Sequence, residues 1–463
     1  MSTIGIKKKK AVSTSPEDLI FTVFKKCAGK SGCDVCRLHM EDDCLFFPEL
    51  YRLQDKTEES RLSVSTKDLR HLLDLCTLCG LCPCPDIRML ILQAKAAFID
   101  ENGISLSNRI ISDVEMIGRW GTTFSKVVNK LNRLTSVSPI LKKALNVHPE
   151  RHLPVFPKES FFLWAKKRGL SSLKNNNSRS SSKVAYFAGC SAGYLFPEVG
   201  KAAVNILERN DIEVFVPPQE CCGMPLIMEG DKKTALKKIH RNIESLLRYV
   251  QNGYDIVCSC PTCGYFFKKL LLENAYYSES FQEKAGAGNK VMKVPFGLGE
   301  KKFITVPKEI YQKLLKDDGY FSSLDPLKRI ELSNKVKDMG EYLLSIHVNH
   351  KLNTSLTCSD NPMVYYAPCH QREQEIGQPY YRLLKSFPGS DIIQIKGVMQ
   401  CCGMGGHLGY KTSFHPHTLK IGEPLFERLL VEKDRTIITD CLSCRIQFQQ
   451  IISRKVFHPL EML

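Results

Sequence analysis

The sequence predicts an α+β protein of several domains, in which an N-terminal helical module precedes a duplicated α/β unit built on parallel sheets. Three observations carry this. First, one cysteine arrangement occurs twice, as Cys190, Cys221, Cys222, Cys260 and Cys263, and again as Cys369, Cys401, Cys402, Cys441 and Cys444. Matching positions are offset by 179, 180, 180, 181 and 181 residues, so only single-residue insertions separate two diverged copies of one unit. Second, segments of strand type alternate with segments of helix type within each copy, the pattern of parallel strands covered on both faces. Third, the region before residue 103 lacks that alternation and brackets its cysteines with helix-like stretches.

From the N-terminus, Ser15-Pro16-Glu17-Asp18 is a helix start: a capping serine, proline at the first helical position, and acids in the first turn. Leu19, Ile20, Val23 and Phe24 supply an apolar face leading into Cys27. A second start at Ser65 puts Leu69, Leu72 and Leu73 inward and delivers Cys76 at the helix end. Beyond residue 103, Ile117, Trp120, Phe124, Val127, Val128, Leu131 and Leu134 follow a helical stripe among basic residues. That stripe reads either as a helix packed across a domain interface or as an interfacial helix on a membrane, with Lys and Arg flanking Trp. The polar tract at 174–183 cannot pack and marks a linker.

The first repeated unit then begins. "KVAYFAG", "IEVFVP" and "YDIVCS" read as strands, with helices through Val199–Leu207 and Ala235–Val250, the latter capped by Asn252-Gly253. The second unit repeats this with "MVYYAP", "DIIQIK", a helix from about 417 to 431, and "RTIITD". Cys190 and Cys369 follow the first strand of each unit, the Cys-Cys pairs the second, and the Cys-x2-Cys pairs the third. Loops at the carboxyl ends of parallel strands share one edge, so the five thiols of a unit can meet in one crevice. Cys263 and Cys444 are expected to open helices, where backbone N–H groups and the helix dipole favour thiolate. Gly223 and Gly403 let the chain turn tightly after each pair.

Ten thiols in register exceed what packing requires. Adjacent cysteines have Cα atoms only about 3.8 Å apart, which strains joint ligation of one tetrahedral zinc but suits different irons of a cluster. Five ligands also exceed a structural zinc site. Iron–sulfur chemistry is therefore the reading for both units, with Cys258 and Cys358 as inert core thiols.

In the N-terminal region, Cys76, Cys79 and Cys82 match the first three positions of the bacterial ferredoxin run Cys-x2-Cys-x2-Cys-x3-Cys-Pro, while Cys84-Pro85 arrives two residues early. The other loop offers Cys33 and Cys36, His39 where a third cysteine is expected, and Cys44 one residue late. Cys27 can replace the missing thiolate. Cys27, Cys33, Cys36, Cys44, Cys76, Cys79, Cys82 and Cys84 make eight thiols for two 4Fe-4S cubane clusters in a ferredoxin-like module; His39 as a ligand is the rival, and a single cubane beside a zinc or empty site the other alternative.

Composition narrows the class. The 463 residues are 43% hydrophobic, enough for several buried cores. Twenty cysteines without a secretory signal read as metal or redox sites in a reducing compartment. The formal charge of +16 counts every thiol as neutral; a cubane on four thiolates carries about −2, so two would lower it to about +12. The charges are scattered outside Lys7–Lys10, with no basic stripe and no Cys/His finger spacing, so no nucleic-acid partner is expected. No stretch reaches membrane-span length, and no Rossmann glycine fingerprint is present for flavin or nicotinamide.

The segments "YFAGC", "ECCGMP", "CPTC", "APCH", "QCCGMGG" and "CLSC" resemble the cysteine-rich CCG domains of the heterodisulfide reductase family. From about residue 30 onward the chain is similar to family members that join a two-cluster ferredoxin-like region to two CCG domains. The resemblance implies a noncubane 4Fe-4S cluster on the five cysteines of each complete unit, one or two in all. It implies electrons from a flavin-containing dehydrogenase subunit of glycerol-3-phosphate dehydrogenase type, passed towards quinone or a quinone-reactive membrane partner, and a cytoplasmic protein peripheral on the inner membrane face. His370, after Cys369, matches the family's Cys-His pair and reads either as a proton-managing group or as a hydrogen-bonded structural histidine. The alternatives are a catalytic protein that cleaves a disulfide at a CCG-bound cluster, and a zinc-rich interaction protein without enzymatic activity. The expected organisation is a disordered basic tail at 1–15, the ferredoxin-like module at 16–102, a helical connector at 103–173, the linker, a first CCG domain at 184–290, a connecting insertion at 291–361 and a second CCG domain at 362–463.

Overall fold

The computed structural model describes residues 15–28, 44–55, 65–80, 82, 84–134, 137–172, 182–288, 290–296, 302–311, 317, 319–349, 352–353, 356–395 and 401–463. Cys33, Cys36 and His39, most of the basic tail and nearly all of the linker lie outside the described residues.

Each repeated unit is a four-stranded parallel sheet. In the first, β1 (Lys183–Phe187) is flanked by β2 (Glu213–Phe215) and β3 (Asp255–Cys258). A separate antiparallel hairpin, β4 (Val291–Phe296) with β5 (Lys302–Pro307), follows β3 before β6 (Val336–Asp338) completes the sheet. In the second unit β7 (Met363–Tyr365) lies between β8 (Ile392–Gln394) and β9 (Thr436–Ile438), with β10 (Val456–Phe457) on the outer side of β9. The sequence pattern gives three strands per unit; the structure adds a fourth to each sheet, of three residues in the first and two in the second. β6 comes from the segment expected as a connecting insertion.

Alternate residues of these strands face different cores, as the period of two requires. Ala185, Phe187, Ile256 and Cys258 point to one side and join Ile20, Val23, Leu50, Leu72 and Ile91 of the N-terminal helices in one buried cluster. Val184, Tyr186 and Val257 point to the other side, where they meet Met363, Tyr365 and Ile438 of the second sheet. Val364, Tyr366 and Ile437 face a third cluster against Phe448. The two units therefore pack back to back on a shared core, with the N-terminal module on the outer face of the first.

The N-terminal helices Pro16–Ala28, Thr66–Leu75 and Pro85–Asn102 follow the expected signals: Ser15 and Ser65 accept hydrogen bonds from the backbone N–H groups of Asp18 and Asp68, each at 3.1 Å. The connector departs from a single stripe. It forms Val114–Thr123 and Ser125–Arg133, broken at Phe124, followed by Val137–Ala144. Ile117 and Val128 turn inward, whereas Trp120 and Phe124, stacked at 5.6 Å, are 62% and 50% exposed. Arg151 pins the connector to the second unit: fully buried, it donates to Gly409 O and Gln447 Oε1 at 2.6 Å and to Thr418 Oγ1 at 2.8 Å. Among the described residues no helix is long and apolar enough to cross a membrane.

Candidate metal centres

The helix starting at Pro261 has Cys260 as its N-cap residue, and the helix starting at Leu442 has Cys441. Both helices begin two residues before the sequence pattern suggests, because Pro261 and Leu442 already satisfy helical geometry; Cys263 and Cys444 stand in the first turn. Each Cys-Cys pair ends at a glycine with a positive φ, 92° at Gly223 and 75° at Gly403, a backbone region that a Cβ disfavours.

In the first unit the five thiols meet in the order Cys190, Cys221, Cys222, Cys263, Cys260, with 3.5 Å between the first two sulfurs. In the second the order is Cys369, Cys401, Cys402, Cys444, Cys441, with 3.0 Å between Cys402 and Cys444. The two chains of contacts are identical under the duplication. Contact with neighbouring thiols raises the thiol pKa of Cys190 and Cys369, and burial adds to it. Cys221 and Cys401, the first members of the pairs, are held well below the usual range by neighbouring thiols and by the N–H of Gly223 or Gly403, with Lys238 or Arg372 adding positive charge. Five sulfurs in contact cannot all ionise against one another; a cation that replaces their protons resolves the conflict, and none of these cysteines is in a disulfide. The donor set fits a sulfur-ligated metal cluster.

The N-terminal cysteines divide differently from their sequence order. A small cavity is lined by Cys44, Cys76, Cys79 and Cys82, and burial, followed by the charges of Cys76, Cys79 and Cys44, pushes the Cys82 thiol up. Cys44 thus crosses from the first loop to complete the set begun by Cys76, as a remote cysteine does in two-cluster ferredoxins. Cys84 is exposed and Cys27 is buried, and neither lines that cavity. Leu78 and Gly80 both take positive φ in the enclosing loop.

The arrangement that sequence reasoning missed is the relation between the units. Nine of the ten repeated cysteines, all except Cys221, line one cavity of about 300 Å³ together with Cys79. Its opposite wall is apolar and comes from the connector, including Ile111, Val114, Ile117, Val128 and Leu145. Spacing within a unit carries no information about how two units face each other. Glu115 was also missed: its Oε2 accepts from the backbone N–H of Cys221 at 2.9 Å and lies 2.8 Å from Lys238 Nζ. No motif marks it, since it arrives from the connector.

His370 lies at the junction of all three modules. Its Nε2 donates to Leu78 O at 2.8 Å, its Nδ1 pairs with Thr262 Oγ1 at 2.9 Å, and its ring stacks on Tyr265 at 4.9 Å. Burial lowers its pKa. Both ring nitrogens are engaged in this geometry. Cys258 is buried 3.6 Å from Lys337 O, and Cys358 pairs with Ser390 at 3.9 Å, both outside the thiol sets.

Two parallel-sheet units, each gathering five thiols at one edge, define a class of cysteine-rich domain, and the family model of the CCG cysteine-rich domain matches residues 184–268 and 363–449. The chain carries two such domains. It is homologous to an anaerobic glycerol-3-phosphate dehydrogenase component from Escherichia coli K12, with 26% identity over 81% of this chain and 80% of that relative. It is also similar to a component of the fumarate reductase (CoM/CoB) of Methanothermobacter marburgensis, 24% identical over 61% of this chain and 46% of the relative. Lactate utilization protein A from Geobacillus sp. is 23% identical over 61% of this chain and 98% of its own length. These relationships support an electron-transfer role built on iron–sulfur clusters.

Proposed function

We propose that this chain is the iron–sulfur component of a dehydrogenase complex, relaying electrons from a flavin-containing partner of glycerol-3-phosphate dehydrogenase type to an acceptor reduced in the cavity between the CCG units. The observation that carries the reading is that one cavity is lined by both sets of CCG thiols and by Cys79. Cys44, Cys76, Cys79 and Cys82 would hold one 4Fe-4S cubane and Cys27, Cys33, Cys36 and Cys84 the other, while each five-cysteine set would hold a noncubane 4Fe-4S cluster. Such clusters supply one-electron transfer, with potentials tuned by the surrounding protein. The protein's own contribution is spacing, burial and an apolar wall that excludes water.

The apolar lining favours a quinone-type acceptor. Outside that wall, Trp120, Phe124, Val127, Leu131 and Ile140 are exposed among Lys126, Lys130, Arg133, Lys142 and Lys143. Rings and aliphatic groups flanked by cations suit peripheral contact with an anionic membrane surface. A second reading, cleavage of a disulfide at a CCG-bound cluster, draws on the same convergence of two thiol sets on one cavity.

Iron and sulfide content with paramagnetic resonance of the anaerobically prepared full chain tests the assignment. Replacing Cys221 and Cys222 by Ser is expected to remove one cluster signal and leave the N-terminal signals. Spectra unchanged from the parent would refute it. Turnover with a soluble quinone against turnover with a disulfide separates the two readings.

A further inference from the structure

A buried charged cluster joins the three modules and has no part in sulfur ligation. Glu229 ends the helix Met224–Glu229 of the first CCG unit and is 1% exposed. Its Oε2 accepts from His407 Nε2 at 3.0 Å and lies 2.7 Å from Lys411 Nζ, both in the second unit; its Oε1 accepts from Arg70 of the N-terminal module. Asp74 Oδ1 stands 2.9 Å from Arg70 and 3.6 Å from Lys411, and Lys95 Nζ donates to the carbonyls of Cys76 and Met228. Burial disfavours the carboxylate of Glu229, but the hydrogen bond from His407 and the charges of Lys411 and Arg70 outweigh it and hold the group well below the usual range. A carboxylate only accepts, so His407 Nε2 carries the hydrogen. The other nitrogen, Nδ1, is buried without a hydrogen-bond partner among the described residues, and His407 lines the cavity shared by the thiol sets. Burial, with Lys411 and Lys95, lowers the pKa of His407 against the pull of Glu229, so the resting ring is neutral and Nδ1 is a base.

We propose that His407 is the proton-exchange residue of this cavity, its Nδ1 serving a two-electron, two-proton acceptor while Glu229 positions the ring. This rests on the reading that an acceptor is reduced there. The acceptor gains two electrons, supplied by the reduced flavin of the partner, and two protons. In a quinone two carbonyl oxygens become hydroxyls; in a disulfide the S–S bond breaks and two S–H bonds form. Each arriving electron adds negative charge to a low-dielectric space and favours protonation of Nδ1. The proton then passes to the reduced acceptor and the ring returns to neutral, once per electron. Nε2 already carries the hydrogen held by Glu229, so each proton comes from solvent to Nδ1 on the cavity side.

His407→Gln keeps a donor for Glu229 and cannot carry a proton. The full chain with its clusters is driven by a reduced viologen into a soluble quinone, a small disulfide, or ferricyanide, which takes one electron and no proton. With whichever two-proton acceptor the parent protein reduces, His407→Gln is expected to lower kcat about 100-fold relative to the ferricyanide arm. Without any acceptor, the pH dependence of the midpoint potentials is expected to flatten in His407→Gln and to move to higher pH in Lys411→Met, which removes a charge opposing protonation. Equal losses in all arms, with the pH dependence unchanged in both variants, overturn the proposal. If the parent reduces neither quinone nor disulfide, the acceptor reading fails separately, and the pH dependence of the potentials alone decides for or against His407.

Discussion

Below neutral pH the stability of this protein is expected to fall through one fully buried histidine. His458 follows β10; its Nε2 donates to Ser259 O of the first CCG unit at 3.2 Å, and its Nδ1 accepts from Leu460 N–H at 3.1 Å. Both nitrogens are satisfied in the neutral ring, and protonating Nδ1 breaks the second bond. Burial lowers the pKa to about 3, against a weaker opposing effect of the Ser259 carbonyl. The unfolded chain binds a proton near pH 6.5 and the folded chain does not, so stability is lost as pH falls from 6.5 towards about 3 and is not lost further below that. Between pH 7 and pH 5 the contribution is about 2 kcal/mol, since one pKa unit is worth about 1.4 kcal/mol. His458→Gln retains a donor for Ser259 O and does not titrate. Urea unfolding of parent and variant at both pH values is expected to show the gap between them narrowing or reversing by about 2 kcal/mol at the lower pH. A gap that is the same at pH 7 and pH 5 would refute the reasoning.

Two further predictions concern cluster ligation and the surface. Cys44→Ser is expected to remove the same resonance signal as Cys79→Ser, while Cys84→Ser affects the other N-terminal signal; Cys44 and Cys84 acting on one signal would contradict the grouping of Cys44 with Cys76, Cys79 and Cys82. Replacing Trp120 and Phe124 together by Ser is expected to weaken sedimentation with vesicles of anionic lipid at least about tenfold, since burying one such ring contributes about 1.5–3 kcal/mol. Binding that survives the double substitution would locate the membrane contact elsewhere.

The duplication has a structural consequence beyond the doubling of sites. Because Val184, Tyr186 and Val257 share a core with Met363, Tyr365 and Ile438, the sheets are fixed back to back, and their cysteine-bearing edges come to one side. The connector closes that side. Arg151 supplies the clasp, reaching three acceptors of the second unit from a buried position.

Much of this was written in the chain itself. The register of the ten cysteines fixed which thiols belong together within a unit, because strand–loop–helix order places the end of every parallel strand on one edge. Serine caps and apolar periodicity located the helices at Pro16–Ala28 and Thr66–Leu75 for the same local reason. What local pattern cannot hold is the relation between distant segments. The transfer of Cys44 to the Cys76 set, the cavity common to both units, the two faces of the connector and the pairing of Glu229 with His407, 178 residues apart, are outcomes of packing. Burial and charge compensation in three dimensions select those partners, and no periodicity along the polypeptide encodes them.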